Sequence, residues 1–238
     1  MNTKQLYLED SYLKTMNASI LEVHPEAEGK WKVVLSETIF YPMGGGQATD
    51  QGMLYTENWQ GKVYQVLAKD GTIYHYVEAQ HIPLPGTEVR GEIDWQRRYL
   101  NMRLHSAGHL IDFALYLLGY SPQLLMPLKA DHGKKPTIYY QGIIDHDFRE
   151  ELETKTNVLV SENLQFSTKI VSYDVLKNNA LYLQPNLPTN KLLRLLTLET
   201  VGSVADGGTQ VHRSKETGLI KIRPIETKED LTLIRYSI

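Results

Sequence analysis

The stretch DWQRRYLNMRLHSAGHLIDFALYLLG, Asp94–Gly119, decides how the chain divides. Asp94 is a good N-cap for a helix that starts at Trp95. Leu100, Leu104, Ala107, Leu110, Ile111, Ala114, Leu115 and Leu118 recur at helical spacing, and Gly119 is a stop signal. Within this run His105 and His109 stand at i and i+4, on one helix face. Two imidazoles so placed can hold one metal ion between them, although solvated or locally satisfied pairs share the spacing. HSAGH lacks the glutamate of HExxH, so the helix carries no general base of its own. Gly108 costs about 1 kcal/mol relative to alanine in a helix. A glycine there suits close approach by another backbone or a ligand.

On the N-terminal side the pattern is of short strands and turns. Residues 18–23, 31–35, 62–68 and 72–77 are β-rich. Turn signals separate them at Glu28-Gly29, Asn58–Gly61 and Lys69-Asp70-Gly71. Pro83, Pro85 and Gly86 mark a further turn before a last strand at 89–93. This predicts a small antiparallel β-barrel over residues 1–92. Beyond Gly119, strands are expected near 137–141, 142–144, 169–173, 192–198 and 218–225, with helices near 147–161 and 175–181. That mixture predicts an α+β domain over residues 93–238, a sheet with helices, joined without a flexible linker.

Composition narrows the class. The 238 residues are 42% hydrophobic and 22% charged, as in soluble globular proteins. Cysteine is absent, so disulfides are excluded and a metal would rest on nitrogen and oxygen ligands. MNTKQLYLED has no apolar h-region, and no apolar run approaches the ~20 residues that span a bilayer. The expectation is a cytoplasmic chain with no membrane partner. A net charge of −3 argues against a grip on long nucleic acid. Three small basic clusters suit a nucleic-acid end: Arg97, Arg98 and Arg103; Lys129, Lys134 and Lys135; His212, Arg213 and Lys215.

Two glycine-rich segments add polar chemistry. The first is TIFYPMGGGQATDQG, Thr38–Gly52. Its consecutive glycines serve close backbone approach with free N–H groups, or a hairpin tip. The second is DGGTQVH, Asp206–His212. Asp206 could be a third, oxygen ligand beside His105 and His109. If a strand begins at Gln210, then Gln210 and His212 share a face, and either of them or a water could complete the site. An ordinary Asp-Gly turn is the simpler alternative.

The TxFYPxGGGQxxDxG string, the HxxxH helix and the later GGT string occur here in an order that resembles the editing domains of alanyl-tRNA synthetases and their free-standing AlaX relatives. The resemblance covers nearly the whole chain and is closest to the medium-length AlaX type. It implies a barrel followed by an editing domain of the synthetase second-additional-domain kind. It implies an ATP-independent cytoplasmic hydrolase that deacylates mischarged tRNA-Ala in trans, removing serine and in some cases glycine. The implied partner is the tRNA-Ala acceptor end, with no stable protein partner, and the implied cofactor is one Zn2+. The family's last motif is CGGTHV, whose Cys and His bind zinc with the helix histidines. Here Asp206 and Gln210 stand at those two positions. A carboxylate ligates zinc at about 2.0–2.2 Å, whereas a glutamine amide is neutral and weakly donating. His212, one strand step further on, is the better chemical candidate. The metal set is therefore His105, His109 and Asp206, with Gln210, His212 or water as fourth partner. Thr38, Gly44, Gly45, Gly46, Gln47 and Asp50 would line the substrate pocket, with Thr209 beside Gly207 and Gly208, whose N–H groups could support an oxyanion. A polar pocket of this kind would separate serine from alanine, because a site that hydrogen-bonds a hydroxyl rejects the analogue lacking it. No catalytic residue is assigned. The rival readings are a different metal-dependent esterase and a metal-free or weakly metallated module binding a tRNA end or small molecule.

Overall fold

Alternation of inward and outward side chains builds the first half of the chain. The computed structural model describes residues 3–185 and 187–238. Six antiparallel strands are β1 (Thr15–Ala27), β2 (Lys30–Leu35), β3 (Gly52–Tyr55), β4 (Gln60–Lys69), β5 (Thr72–Glu78) and β6 (Glu88–Ile93). They close into a barrel in the order β1-β2-β5-β4-β3-β6, which leaves no open sheet edge. In β6, Val89, Gly91 and Ile93 are buried while Glu88, Arg90 and Glu92 are exposed. Val33, Leu35, Leu54, Val63, Val66 and Val77 are wholly buried and fill the interior. Gly52 is required by closure, since a Cβ there would fall 2.0 Å from Glu92 O on β6.

A buried ion pair ties the Thr38–Gly52 segment down. Arg98 is fully buried, and its Nε donates to Asp50 Oδ2 at 2.9 Å. Its Nη1 donates to Ser11 O at 2.8 Å and its Nη2 to Ile39 O. Asp50 Oδ2 also accepts from Tyr41 N–H at 2.7 Å. Between these anchors the chain turns tightly: Gly45 and Gly46 take φ of 55° and 77°, as a type I′ hairpin turn requires. Gly44 and Gln47 pair across it through two backbone bonds of 3.2 and 2.9 Å.

Helix α1 (Trp95–Leu117) begins as its capping residue dictates, with Asp94 Oδ1 accepting from Arg97 N–H at 3.0 Å. It ends in a Schellman-type closure at Gly119, φ 78°, with Tyr120 N–H donating to Leu115 O at 2.9 Å. Two compact units, Met1–Leu100 and Asn101–Ile238, divide within this helix, because its first turns carry Trp95 and Arg98 into the barrel unit. Every residue from Leu104 to Leu115 is buried, as expected of a helix apolar on all sides. Yet His105, Ser106, His109 and Asp112 lie in that span, a polar stripe down one face.

The second unit continues with β7 (Met126–Asp131), β8 (Thr137–Gln141), α2 (Arg149–Ser161), β9 (Phe166–Val171), α3 (Tyr173–Asn179), β10 (Leu193–Leu198), β11 (Gly202–Ala205), β12 (Lys221–Ile222), β13 (Glu226–Lys228) and β14 (Leu231–Ser237). One sheet runs β12-β14-β8-β7, with β13 also on β14, and a second runs β9-β10-β11. The α+β class and the barrel are as expected, with local corrections. Residues 142–144 form no strand, since Gly142 turns at φ 116° and its N–H donates to Asp230 O. The strand expected at 218–225 shrinks to Lys221–Ile222, because Gly218 breaks the chain at φ 75° after a 3-10 turn, Ser214–Thr217. Among the described residues no helix is long and apolar enough to cross a membrane.

Candidate functional site

The polar stripe of α1 meets the segment after β11. Asp206 Oδ1 lies 3.2 Å from His105 Nε2 and 3.5 Å from His109 Nε2. The two imidazoles are nearly parallel, with centroids 5.1 Å apart and an interplanar angle of 16°. The three donors form the metal-competent group among the described residues, with ligand atoms all within 4.8 Å of one another. Two atoms bound to zinc at tetrahedral angles and usual bond lengths stand about 3.4 Å apart. The two separations onto Oδ1 bracket that value. Both ring nitrogens of His109 are buried without a hydrogen-bond partner among the described residues. Two imidazoles and one carboxylate with an open fourth position match the donor set of hydrolytic zinc sites, so the residues fit the ion.

Local folding explains why Asp206 points there. Its Oδ1 accepts from Gly208 N–H at 3.0 Å, and its Oδ2 accepts from Gln210 Nε2 at 2.9 Å. Gln210 is itself oriented by Ser106, whose hydroxyl donates to Gln210 Oε1 at 2.6 Å and accepts from Val211 N–H at 3.1 Å. Arg194 Nη1 stands 3.7 Å from Asp206 Oδ2 and donates to Gly208 O. This Asx-type turn bends the backbone before a ladder can form. Residues 206–212 are therefore not a strand, and Gln210 and His212 do not share a face. Gln210 is buried with its amide holding Asp206, not directed at the group as a ligand, and His212 is exposed and outside the three-donor group.

Glycine has a steric role at two places here. A Cβ on Gly208 would fall 2.0 Å from His105 Cε1. A Cβ on Gly108 would fall 2.4 Å from His132 Cε1. The Gly208 N–H already serves Asp206, so it is not the free oxyanion donor expected of it, while Gly207 is exposed and Thr209 wholly buried.

Two residues of this cluster escaped the sequence reading. Asp112 continues the stripe one turn past His109, and its Oδ2 lies 3.8 Å from His109 Nδ1. Tyr140 donates to its Oδ1, and Tyr182 donates to its Oδ2 at 3.2 Å. The i, i+4, i+7 spacing of His105, His109 and Asp112 was the available signal. His132 follows β7 and stacks on His105, with centroids 4.3 Å apart and an angle of 22°. Gly108 was its only signal, without a way to name the partner.

Burial and charge oppose one another in this cluster. Burial lowers His105 despite the nearby Asp206. Burial also pulls His109 down, but the Asp206 carboxylate, with Asp112 behind it, carries it above its ordinary value. Burial would raise Asp206, yet the two imidazoles hold it well below the carboxylate range. Desolvation raises Asp112 and places His132 well below the ordinary imidazole range.

The residues expected to line a pocket from the glycine-rich segment belong to the barrel unit and have partners there. The Thr38 hydroxyl bonds His75 Nε2 at 2.7 Å and accepts from Phe40 N–H at 3.0 Å, with no exposed surface. Asp50 is held by Arg98, and Gln47 is buried. Gly44 and Gly45 are exposed at the tip, and Gly46 is partly so. Arg98 and Arg103 are also structural, since Arg103 donates to Glu216 O and Thr217 O at 3.0 and 2.9 Å.

Residues 6–97 match the family described as tRNA synthetases class II (A). The chain is 31% identical to alanyl-tRNA editing protein AlaX-L of Pyrococcus horikoshii, over 92% of this chain and 54% of that protein. It is 33% identical to the alanine–tRNA ligase of Pyrococcus furiosus over 96% of this chain and 25% of the ligase. The ligase of Aeropyrum pernix is likewise 33% identical, over 92% of this chain and 24% of its own length. The chain thus spans about half the length of AlaX-L and about a quarter of the ligases. Over nearly all of its own length it is similar to an alanyl-tRNA editing protein and to alanine–tRNA ligases.

Proposed function

We propose that this chain is an aminoacyl-tRNA deacylase that hydrolyses the ester of mischarged tRNA-Ala, Ser-tRNA-Ala first and Gly-tRNA-Ala second, as a cytoplasmic trans-editing enzyme. One observation carries the reading: a single carboxylate oxygen of Asp206 faces the Nε2 atoms of both His105 and His109 at zinc-ligand separations. Similarity to an alanyl-tRNA editing protein supports the substrate class. Zinc bound by these three residues supplies Lewis acidity toward the ester. The chain's own residues prepare the place. Gly208 N–H and Gln210 fix the Asp206 carboxylate, Asp112 stands behind His109, and His105 and His109 are buried while Asp206 is partly so, its carboxylate side chain only 6% exposed. Exposed Lys129, Lys134, Lys135, Arg213 and Lys215 on the same unit offer phosphate contacts that position without reading sequence. Of the glycine-rich segment, Thr38, Gln47 and Asp50 are buried within the barrel unit, with Gly44 and Gly45 exposed at its tip.

Deacylation of Ser-tRNA-Ala, Gly-tRNA-Ala and correctly charged Ala-tRNA-Ala, beside a generic aryl ester, tests it, with zinc counted by elemental analysis. Cleavage of the mischarged species alone, with one zinc per chain, is the expected result. Cleavage of the aryl ester alone would make the chain a different metal-dependent esterase. A second reading has its own support, because Arg194 already places a positive charge 3.7 Å from Asp206. Tight tRNA-end binding with neither zinc nor cleavage would establish that binding module instead.

A further inference from the structure

We propose that Gln184 is a specificity-determining residue of this site, its Oε1 accepting a hydrogen bond from the hydroxyl of the substrate's seryl group. The inference rests on the hydrolase reading above and names what, in the second unit, tells serine from alanine. Gln184 Nε2 donates to Ala205 O at 2.9 Å. A carbonyl oxygen only accepts, so the amide atom on that side must be the nitrogen and the carboxamide has one orientation. The atom left over is Oε1, an acceptor that is buried and has no hydrogen-bond partner among the described residues. A buried acceptor left empty is costly, so the arrangement suits a donor that arrives with the substrate.

The fold brings this amide to the three-donor group. After α3 the chain runs alongside β11, with Ala180 bridged in parallel to Ser203 and Leu181 N–H donating to Ser203 O at 2.8 Å. Leu183 packs with Leu176, Leu195 and Ala205 in an apolar cluster. Tyr182 instead reaches the polar stripe of α1, its hydroxyl donating to Asp112 Oδ2 at 3.2 Å behind His109. Gln184, two residues on, fastens to Ala205 O, the carbonyl immediately before the ligand Asp206. Its side chain is half-buried, between buried Tyr182 and exposed Pro185, at the edge of the site. Charge selects the donor. Arg194 Nη1 already stands 3.7 Å from Asp206 Oδ2, so the α-ammonium of an aminoacyl ester would be a second cation beside the same carboxylate. An uncharged amide oxygen suits an uncharged O–H instead. Alanine and glycine carry no such donor and would leave Oε1 unpaired, the condition under which a polar site rejects an analogue. The Thr38 hydroxyl, expected to line the pocket, is bonded to His75 in the barrel unit and does not supply this contact.

The test titrates the zinc-loaded protein by calorimetry with two non-hydrolysable probes, adenosine analogues that carry serine or alanine through an amide in place of the ester. Wild type should bind the seryl probe about 10-fold more tightly or better. Gln184→Met, near-isosteric but without the carbonyl, should weaken the seryl probe to the level of the alanyl one and leave alanyl binding unchanged. Gln184→Asn, which withdraws the amide by one methylene, should do the same, so the outcome does not hang on one variant. Equal binding of the two probes by wild type overturns the inference, and so does a preference for serine that survives both substitutions. An equal loss for both probes also overturns it, since Gln184 would then only brace Ala205. Deacylation of Ser-tRNA-Ala by the same wild-type preparation separates the two readings. Absence of cleavage overturns the hydrolase reading, whereas cleavage with equal probe binding overturns the inference alone.

Discussion

Gly208 and His105 meet so closely that the imidazole occupies the space of a side chain at position 208, with His105 Cε1 only 2.0 Å from where a Cβ would sit. Gly208→Ala should therefore displace the ring or the turn. Overpacking of this kind costs about 1–3 kcal/mol, and zinc should be lost with it. Gly207→Ala is the matched control, since no atom lies within 4 Å of its Cβ position. Melting temperature and zinc content of the two variants check the contrast, and equal behaviour would refute it.

Asp112 should govern metal affinity without touching the ion. Groups that orient a ligating histidine are worth about 10–100-fold in affinity. Asp112→Asn should weaken zinc by that factor while leaving the fold intact, because one of Tyr140 and Tyr182 can still donate to the amide oxygen while the other's hydroxyl oxygen accepts from the amide NH2. Competition against a fluorescent zinc chelator reads the difference. An unaltered affinity would reduce Asp112 to a packing role.

At position 206 the donor itself can be exchanged. Asp206→Cys should tighten zinc, since a thiolate is the softer ligand and the other two donors stay. Asp206→Asn should abolish binding and leave Arg194 beside an uncharged amide. Calorimetric zinc titrations of the two variants should move in opposite directions from wild type.

The barrel unit has a pH dependence of its own. His75 is wholly buried, and desolvation pushes its pKa down to about 4 although Val33 O bonds its ring. Below the ordinary value near 6.5 the unfolded chain takes up a proton that the folded chain refuses, so stability falls with falling pH. The stabilisation is fully present above that value and is lost progressively toward pH 4. Between pH 7 and 5 the loss is about 2 kcal/mol. Chemical denaturation at the two pH values measures it, and His75→Asn should flatten the difference by that amount.

Arg98 and Asp50 form a pair that cannot be halved without damage. Removing one partner of a buried ion pair costs about 3–5 kcal/mol, because the other charge is stranded. Arg98→Met should destabilise the protein on that scale and also release Ser11 O and Ile39 O. A loss below about 1 kcal/mol in urea unfolding would contradict the assignment.

The barrel and α1 were legible because their patterns are local. Alternation marks β6, and Asp94 and Gly119 mark the helix ends. His105, His109 and Asp206 were legible as donors for the same reason, residue type and spacing. The Asp206–His212 turn was not, because its shape comes from the Asp206 carboxylate reaching back to Gly208 and forward to Gln210. Those bonds override the strand pattern on which a role for His212 depended. Thr38 read as a pocket hydroxyl, yet its partner His75 lies on a strand paired far along the chain. For His132 the sequence offered only Gly108, which marks a close approach without naming the partner, since the packing of β7, β14 and α1 brings it to His105.

An aspartate at position 206, where a cysteine is the other common zinc ligand, has a consequence for chemical durability. A thiolate in that place would be open to peroxide, which converts it stepwise to sulfenic, sulfinic and sulfonic acids, the later steps irreversible. Asp206 has no such ladder to climb, and the sequence contains no cysteine at all. Two imidazoles and a carboxylate keep their charge and reach through an oxidant challenge that would disable a cysteine-ligated centre. A zinc site built on this donor set would keep its ligands through oxidative stress.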